Sequence, residues 1–210
     1  MTTESPIASS ERPSRKTESA WRTLLNSPAH LAVLVGLILL TGILRLGSAF
    51  DFPNFAMLLA LSVFCGIHVK HKAAMLIPLA VRLITDCIIE YRTGFGFWES
   101  WYFDYSCYVL IFLVSLWIPA KGRGRIVGAT ATGLGAIVVY FLVSNGGVWF
   151  LGSPATYDRS FAGLMNCYAM GLPFVKGTVW GNVIGLPLFL LAWSLVPAPA
   201  PQSEPQLEQA

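Results

Sequence analysis

The strongest constraint on the fold is a series of apolar segments that recur along the chain at about the length of a bilayer crossing. A membrane-spanning helix takes about 20 residues, and tilting or local thinning of the bilayer accommodates shorter ones. The chain is 55% hydrophobic and only 12% charged, whereas soluble domains are about 25% charged. We therefore predict an all-α membrane protein, a bundle of six transmembrane helices. The predicted spans are Ala29–Leu44, Asn54–Val69, Ala73–Ile89, Tyr105–Pro119, Ile126–Val143 and Thr178–Val196.

A seventh apolar stretch, Phe161–Val175, is interrupted by an asparagine, a glycine and a proline. Irregular backbone at membrane depth needs protein or water around it. This stretch is therefore predicted to be a short re-entrant or interfacial helix before the last span. Both ends of the chain are polar, and residues 1–28 and 197–210 are predicted to be disordered cytoplasmic tails. Between them, residues 29–196 are expected to form one six-span membrane domain.

The distribution of basic residues predicts the orientation, because cytoplasmic loops of membrane proteins are enriched in Lys and Arg. With six spans and an inner N-terminus, nine basic residues fall in the inner segments and four in the outer loops. Both termini are therefore predicted to be cytoplasmic. The inner residues are Arg12, Arg15, Lys16, Arg22, Lys70, Lys72, Lys121, Arg123 and Arg125, and the outer ones are Arg45, Arg92, Arg159 and Lys176.

Two opposite charges lie in the middle of the third segment. Arg82 and Asp86 are four residues apart and share one helical face, where the guanidinium and carboxylate can neutralise each other. A charge at the centre of a membrane helix costs about 2.5 to 3.5 kcal/mol on insertion scales, so such residues normally face a protein interior or a polar cavity. The pair is predicted to line a ligand site. A purely structural ion pair is the alternative.

The outer loop between the third and fourth segments is rich in aromatic residues. One interpretation is an interfacial aromatic belt, since Trp and Tyr favour that depth. The other is a lid whose rings stack on a ligand. Tyr105, where the loop meets the fourth segment, is predicted to contact the ligand. The eight aromatic residues are Tyr91, Phe95, Phe97, Trp98, Trp101, Tyr102, Phe103 and Tyr105.

The most distinctive stretch of sequence runs from Ser144 to Asn182. It contains, in order, Asn-Gly-Gly-Val-Trp, a tyrosine, Ala-Gly-Leu, Cys-Tyr, Pro-Phe and Gly-Asn. This series resembles an uncharacterised family of bacterial six-helix membrane proteins, and the resemblance covers about Arg45 to Val196, including Pro53-Asn54. That family is in turn similar to the substrate-binding S components of energy-coupling-factor (ECF) transporters, which take up vitamins and metal ions in prokaryotes.

Together with the charged pair, the resemblance predicts a solute site between the third, fifth and sixth spans, under the aromatic loop. The family pattern has Asp where this chain has Asn182, which argues against a role that needs a carboxylate there. Hydrogen bonding between helices is the alternative role for each polar position. The predicted substrate-binding residues are Asn54, Arg82, Asp86, Tyr105, Asn145, Trp149, Tyr157, Asn166, Tyr168 and Asn182.

These residues predict capture of a small solute from the outer side of a bacterial cytoplasmic membrane. No enzyme activity is expected, because Gly-x-Ser-x-Gly, His-Glu-x-x-His and Walker motifs are absent from the sequence. No metal site or cofactor is predicted. The scattered basic residues give no reason to expect a nucleic-acid partner. Apart from the lipid bilayer and the solute, the partners implied by the resemblance are an ECF-type coupling subunit and its ATPases.

Small residues in the first span bear on those partners. In S components the first helix carries small residues that contact the coupling subunit, so the resemblance implies this docking role for Ala32 and Gly36. Packing within the bundle is the alternative for both. The competing function for the whole protein is a scaffold or assembly factor that does not transport and binds a protein through its outer loops.

The predicted orientation can be tested with topology reporters. Fusions at the two termini should report a cytoplasmic location, and a reporter inserted between Gly152 and Tyr157 should report an external one, because the basic residues favour the inner side. An external C-terminus would contradict an even number of spans.

Overall fold

The computed structural model describes residues 27–47 and 55–197, which form six α-helices and no β-strand. The all-α prediction is therefore confirmed for this part of the chain. The predicted tails lie outside the described residues except for their innermost positions, and Asn54 lies outside them as well. A 3-10 turn, Lys72–Met75, precedes α3. The helices are α1 (Pro28–Gly47), α2 (Leu58–His68), α3 (Leu76–Thr93), α4 (Trp101–Ser115), α5 (Arg123–Leu151) and α6 (Phe161–Ser194).

The connections between helices gather at two ends of the bundle. At one end, Lys70 Nζ donates to the carbonyl of Ile118 at 2.8 Å and so ties the α2–α3 connection to the α4–α5 connection. Partial burial lowers the pKa of the Lys70 ammonium through desolvation. The start of α1 and the end of α6 also meet here, since the rings of His30 and Trp193 are 4.5 Å apart. We call this the basic end.

The opposite end of the bundle carries the α3–α4 and α5–α6 loops, and we call it the aromatic end. The two loops approach each other, because a Cβ on Gly152 would lie 4.0 Å from the Glu99 carboxylate. Below them, a Cβ on Gly147 would lie 2.7 Å from the ring of Phe103. Successive helices therefore run in opposite directions, as the six-span prediction requires.

The short helix α2 lies at the centre of the bundle. Every residue from Leu58 to Ile67 is buried. A helix that is apolar all round has no face that favours water, so it is stable only when other helices enclose it. Here α4 and α6 supply much of that enclosure. The ring of Phe64 packs edge-on against that of Phe189 on α6, with 6.0 Å between centroids, and both side chains are fully buried.

Three helices, α1, α5 and α6, are long and apolar enough to cross a membrane. The other three fall short for different reasons. α3 has 18 residues but includes two arginines and two carboxylates, while α2 and α4 have 11 and 15 residues. The number of helices thus agrees with the six predicted segments, and length and composition mark three of them as candidate spans.

The predicted re-entrant helix is wrong. Phe161–Val175 and the last predicted span belong to one continuous helix of 34 residues, α6, with Pro173 and Pro187 inside it. A proline removes one backbone hydrogen bond, whereas breaking the helix would free several polar groups at once. The continuous helix therefore satisfies more of its backbone. For the same reason α5 runs to Leu151, beyond the predicted end of its span.

A pair of glycine substitutions tests how tightly α2 is enclosed. A Cβ on Gly66 would lie 2.5 Å from Ser115 Cβ and 2.8 Å from the carbonyl oxygen of Phe112, so Gly66→Ala should lower the free energy of unfolding by about 1 to 3 kcal/mol. On α1, a Cβ on Gly36 would meet no atom within 4 Å. Gly36→Ala should be neutral or stabilising, because Ala is the better helix former. Thermal unfolding in detergent measures both, and equal losses would contradict the packing described.

Candidate functional site

The charged pair predicted on α3 is present and buried. Arg82 Nε donates to Asp86 Oδ2 at 2.6 Å across one helical turn. The Asp86 side chain is fully shielded from solvent and that of Arg82 is 10% exposed. Removing two charges from water is costly, and the cost is recovered only when hydrogen bonds satisfy both groups. The surrounding helices supply those hydrogen bonds.

Asp86 accepts hydrogen bonds from three helices. Besides Arg82, the Nη2 of Arg45 at the end of α1 lies 2.5 Å from Asp86 Oδ1, and the Tyr105 hydroxyl on α4 donates to Oδ2 at 2.9 Å. Arg45 also donates to the Thr85 hydroxyl at 2.7 Å. Arg45 falls in a predicted outer loop, so this role was not predicted. Arg45 lies in the last turn of an apolar helix, toward the same predicted outer side of the membrane as Asp86. That position is the sequence feature that could have indicated a contact between them.

A second carboxylate extends the network across α4. Arg82 Nη2 donates to Asp104 Oδ2 at 3.3 Å, and Nη1 donates to the Tyr108 hydroxyl at 3.5 Å. Neither Asp104 nor Tyr108 was predicted, because Asp104 lies in the aromatic-rich outer loop and Tyr108 lies among the apolar residues of the predicted fourth span. We refer to Arg45, Arg82, Asp86 and Asp104 as the charged cluster. With all four ionised, their charges sum to zero.

The charged cluster forms one wall of a cavity of about 660 Å³. Asn145 on α5, Asn182 on α6 and Tyr157 on the connecting loop line it from other directions. The cavity is bordered by α3, α5 and α6, the three helices predicted to surround a solute site, and also by residues of α1, α2 and α4. Its volume is within the range of about 300 to 1,000 Å³ found for small-molecule pockets. Of the predicted site residues, Arg82, Asp86, Asn145, Tyr157 and Asn182 line it together.

Four predicted residues do not line the cavity. Tyr105 bonds to Asp86 from α4 without reaching the cavity wall. Trp149 Nε1 donates to the Asp158 carbonyl at 2.8 Å in the α5–α6 loop, and the Tyr168 hydroxyl donates to the Leu142 carbonyl at 3.1 Å between α5 and α6.

The fourth, Asn166, is exposed. On one continuous helix Asn166 lies about 160° around the axis from Asn182, because α-helices have about 3.6 residues per turn. The structure therefore places none of these four side chains in the cavity wall.

Asn182 has a structural task that the sequence did not suggest. Its Oδ1 accepts the backbone N–H of Ala60 at 2.7 Å, and its Nδ2 donates to the carbonyls of Thr178 at 2.6 Å and Ala56 at 3.3 Å. The α2 N-terminus has no side-chain cap of its own, so Asn182 caps it from α6. An amide supplies both the acceptor and the donors, whereas an ionised Asp would supply the acceptor only.

The α3–α4 loop covers the cavity from the aromatic end. Glu90 Oε2 accepts the backbone N–H groups of Gly96 at 2.7 Å and Phe97 at 3.2 Å, which holds the loop against the end of α3. Phe95 and Trp98 line the cavity, although much of each side chain is exposed. The loop thus combines features of both predicted roles, since two of its rings face the cavity and others face outward.

The α5–α6 loop is tied down by polar contacts outside the cavity. Hydrogen bonds from the Ser160 hydroxyl and backbone N–H lower the pKa of the Asp158 carboxyl. The Ser160 hydroxyl also accepts the backbone N–H of Gly163 at 3.0 Å and so caps α6. Arg159 stacks over the Trp149 ring, 5.8 Å from its centroid. These contacts explain the placement of Trp149 without a ligand.

The small residues predicted to dock a partner face away from the bundle. Ala32 and Gly36 are both exposed on α1, and Gly36 has no neighbouring atom within 4 Å of its Cβ position. The alternative prediction, that these two residues pack within the bundle, is therefore wrong. The inward face of α1 is formed by His30, Leu34, Leu37 and Thr41 instead.

The fold and the site define a helical protein with a polar, charge-lined cavity inside an apolar bundle. The chain matches the model of a family of unknown function, DUF6580, over residues 26–204, and it belongs to that family. The predicted membership of an uncharacterised family is therefore confirmed, and the match includes every described residue of the cavity. No curated protein and no solved structure matches the chain.

Substitutions in the charged cluster test how its charges compensate one another. Asp86→Asn leaves Arg45 and Arg82 with Asp104 as the single remaining carboxylate, and it should cost about 3 to 5 kcal/mol of unfolding free energy. The double change Asp86→Asn with Arg45→Gln restores neutrality and keeps the Arg82–Asp104 pair, so it should cost less than Asp86→Asn alone. Thermal unfolding in detergent compares the two. Additive losses would show that Arg45 and Asp86 are not coupled.

Proposed function

We propose that this protein is an integral membrane protein that binds a small solute in the cavity beside the charged cluster. One observation carries the proposal: three buried charged side chains, the largely buried Arg45 and two amides border a single cavity of ligand size in an apolar bundle. Ionisable groups at membrane depth are costly and typically mark ligand or ion sites. A purely structural ion-pair network is the alternative.

The membrane location is supported by the surface of the bundle. Large apolar side chains are exposed along α1, α5 and α6, among them Leu39, Ile43, Val138 and Leu191. Exposed apolar surface of this extent favours contact with lipid. The shorter α2 is enclosed by the other helices and has no such requirement. We infer six crossings, with the shorter helices accommodated by local thinning of the bilayer.

The proposed orientation places the basic end in the cytoplasm of a bacterial cell and the aromatic end outside. Lys70 and Lys121 lie in connections at the basic end, and Arg123 and Arg125 lie in the first turn of α5 there. Cytoplasmic loops and their flanks favour such residues. Both termini would then be cytoplasmic. The cavity would open toward the outer side beneath the α3–α4 loop, so a solute would be captured from outside.

Transport of the captured solute would need a partner, because the chain has no Walker motif to bind ATP. We propose an ECF-type coupling subunit and its ATPases for that role on the sequence pattern alone, since no curated protein and no solved structure matches the chain. α1 offers a place for such a subunit, since Ala32 and Gly36 leave its outer face open to close helix approach.

A scaffold function is the second candidate, and it is favoured by the exposed rings at the aromatic end. Tyr91 is 93% exposed and Trp98 is 62% exposed. Aromatic side chains are enriched where proteins bind other proteins. In this case Trp101→Ala, which lies outside the cavity lining, should weaken partner association, while changes to residues that line the cavity should not.

A ligand-induced thermal shift distinguishes the two candidates. Purified protein is unfolded in the presence of a panel of vitamins, nucleobases and divalent metal ions. A bound solute at one hundred times its dissociation constant stabilises the protein by about 2.7 kcal/mol. Asn145→Ala and Tyr157→Phe should reduce the shift, because both residues line the cavity.

Tyr168→Phe is the matched control. It removes the same hydroxyl group as Tyr157→Phe, but from a tyrosine that bonds to Leu142 and does not line the cavity. Its thermal shift should equal that of the wild type. If no panel member stabilises the wild type, and Asn145→Ala complements a deletion strain fully, the scaffold becomes the better account.

A further inference from the structure

The hydrogen bonds of the charged cluster are unevenly shared between its two carboxylates. Asp86 accepts from Arg45, Arg82 and Tyr105 at 2.5 to 2.9 Å. Asp104 accepts a side-chain hydrogen bond from Arg82 at 3.3 Å, and its other oxygen, Oδ1, is buried without a hydrogen-bond partner. A buried acceptor that lacks a donor is unfavourable, because it has lost its hydrogen bonds to water. Asp104 is therefore the member of the cluster with unused binding capacity.

The guanidinium groups of the cluster already bond to its carboxylates and hydroxyls. Arg82 uses Nε, Nη1 and Nη2 on Asp86, Tyr108 and Asp104. Arg45 uses both of its Nη atoms on Thr85 and Asp86. Each guanidinium has five N–H groups, so these bonds alone do not exclude an anion. An anion would, however, be repelled by the unpaired Asp104 oxygen. A ligand that brings its own N–H donors would instead complete the hydrogen bonding of Asp104.

The position of Asp104 sets it apart from other unsatisfied groups. Within residues 27–47 and 55–197, buried side-chain atoms without a partner occur on His68, Asp104 and Arg125. Of these three residues, Asp104 lines the cavity. The residue is 9% exposed, and Arg82, Tyr108 and Tyr140 line the same cavity.

The cavity wall near Asp104 also suits a cation. The rings of Tyr108 and Tyr140 are 5.8 Å apart, and both line the cavity. Aromatic faces attract ammonium groups, more strongly where water is excluded. An inorganic cation fits less well, because the described residues hold no group of three or more His, Cys, Asp or Glu side chains placed to bind a metal.

We propose that the solute carries a protonated amine and that the Asp104 carboxylate is its counter-ion, with the Tyr108 and Tyr140 rings beside it. This inference rests on the proposed solute-binding function and names its ligand class. The ammonium group can belong to a plain amine or to an amino acid, since both present the same donors and charge. Bonding to Asp104 is the recognition step in either case.

Four compounds of similar size and different charge test the ligand class on the full-length protein in detergent. 2-Phenylethylamine and phenylalanine carry the ammonium group, 2-phenylethanol is the neutral analogue and 3-phenylpropionate is the anion. Thermal stabilisation is measured with each. At least one of the ammonium compounds should stabilise the wild type, and neither the alcohol nor the acid should. The tighter of the two ammonium compounds identifies a plain amine or an amino acid.

Asp104→Asn should weaken binding of the ammonium compound by about tenfold or more, because the amide keeps the shape and removes the charge. Asp158→Asn is the matched control, since Asp158 is exposed in the α5–α6 loop and does not line the cavity. It should bind as the wild type does. If Asp104→Asn fails to fold, the comparison of the four compounds on the wild type still decides the ligand class.

The proposal is overturned if the alcohol or the acid stabilises the wild type as much as the amine does. It is also overturned if neither ammonium compound stabilises it, or if Asp104→Asn binds unchanged. These results are separable from failure of the proposed function. If a vitamin, nucleobase or metal ion binds and Asn145→Ala weakens that binding, the proposed solute site stands and only the proposed amine ligand is rejected.

Discussion

The structure depends on neutralising Asp86 inside an apolar bundle. A single buried carboxylate receives donors from α1, α3 and α4 at 2.5 to 2.9 Å, and this shared acceptor holds three helices in register. In a medium of low polarity such hydrogen bonds are strong, and leaving any of the charges unpaired is correspondingly expensive. The position of α1 relative to α3 is therefore set by electrostatics as well as by packing.

A second buried contact positions the central helix. α2 has no polar face, so apolar packing alone would allow it to slide or rotate among its neighbours. Asn182 removes that freedom by bonding to the backbone of Ala60 and Ala56 at the start of α2. Close contacts such as that of Gly66 with Ser115 then determine how near α4 can approach. The hydrogen bonds of Asn182 therefore fix the position of α2, and small residues such as Gly66 determine its distance from α4.

The cavity follows from these two constraints. The Asp86 network draws α1, α3 and α4 together on one side, and Asn182 fixes α2 against α6 on the other. Space remains between the two groups near the aromatic end, where the α3–α4 loop closes over it through Glu90. Polar groups that serve the fold consequently also line the site, which is why the same residues are candidates for both roles.

Several features followed from the sequence alone. The apolar segments established the helical class and the number of helices, because only helices satisfy the backbone within such segments. The spacing of Arg82 and Asp86 identified their ion pair, since residues four apart share a helical face. Asn145, Tyr157 and Asn182 were also identified as residues near one another, and they line one cavity.

Other features were decided only by tertiary structure. Arg45 and Asp104 join the charged cluster from α1 and α4, and no local pattern indicates which distant side chains lie within hydrogen-bonding distance of one another. The continuity of α6 was hidden by Pro173, whose effect on a helix depends on what surrounds the freed carbonyl. That continuity in turn rotated Asn166 away from the cavity. Local spacing determines which residues share a face, whereas the packing of helices determines what each face meets.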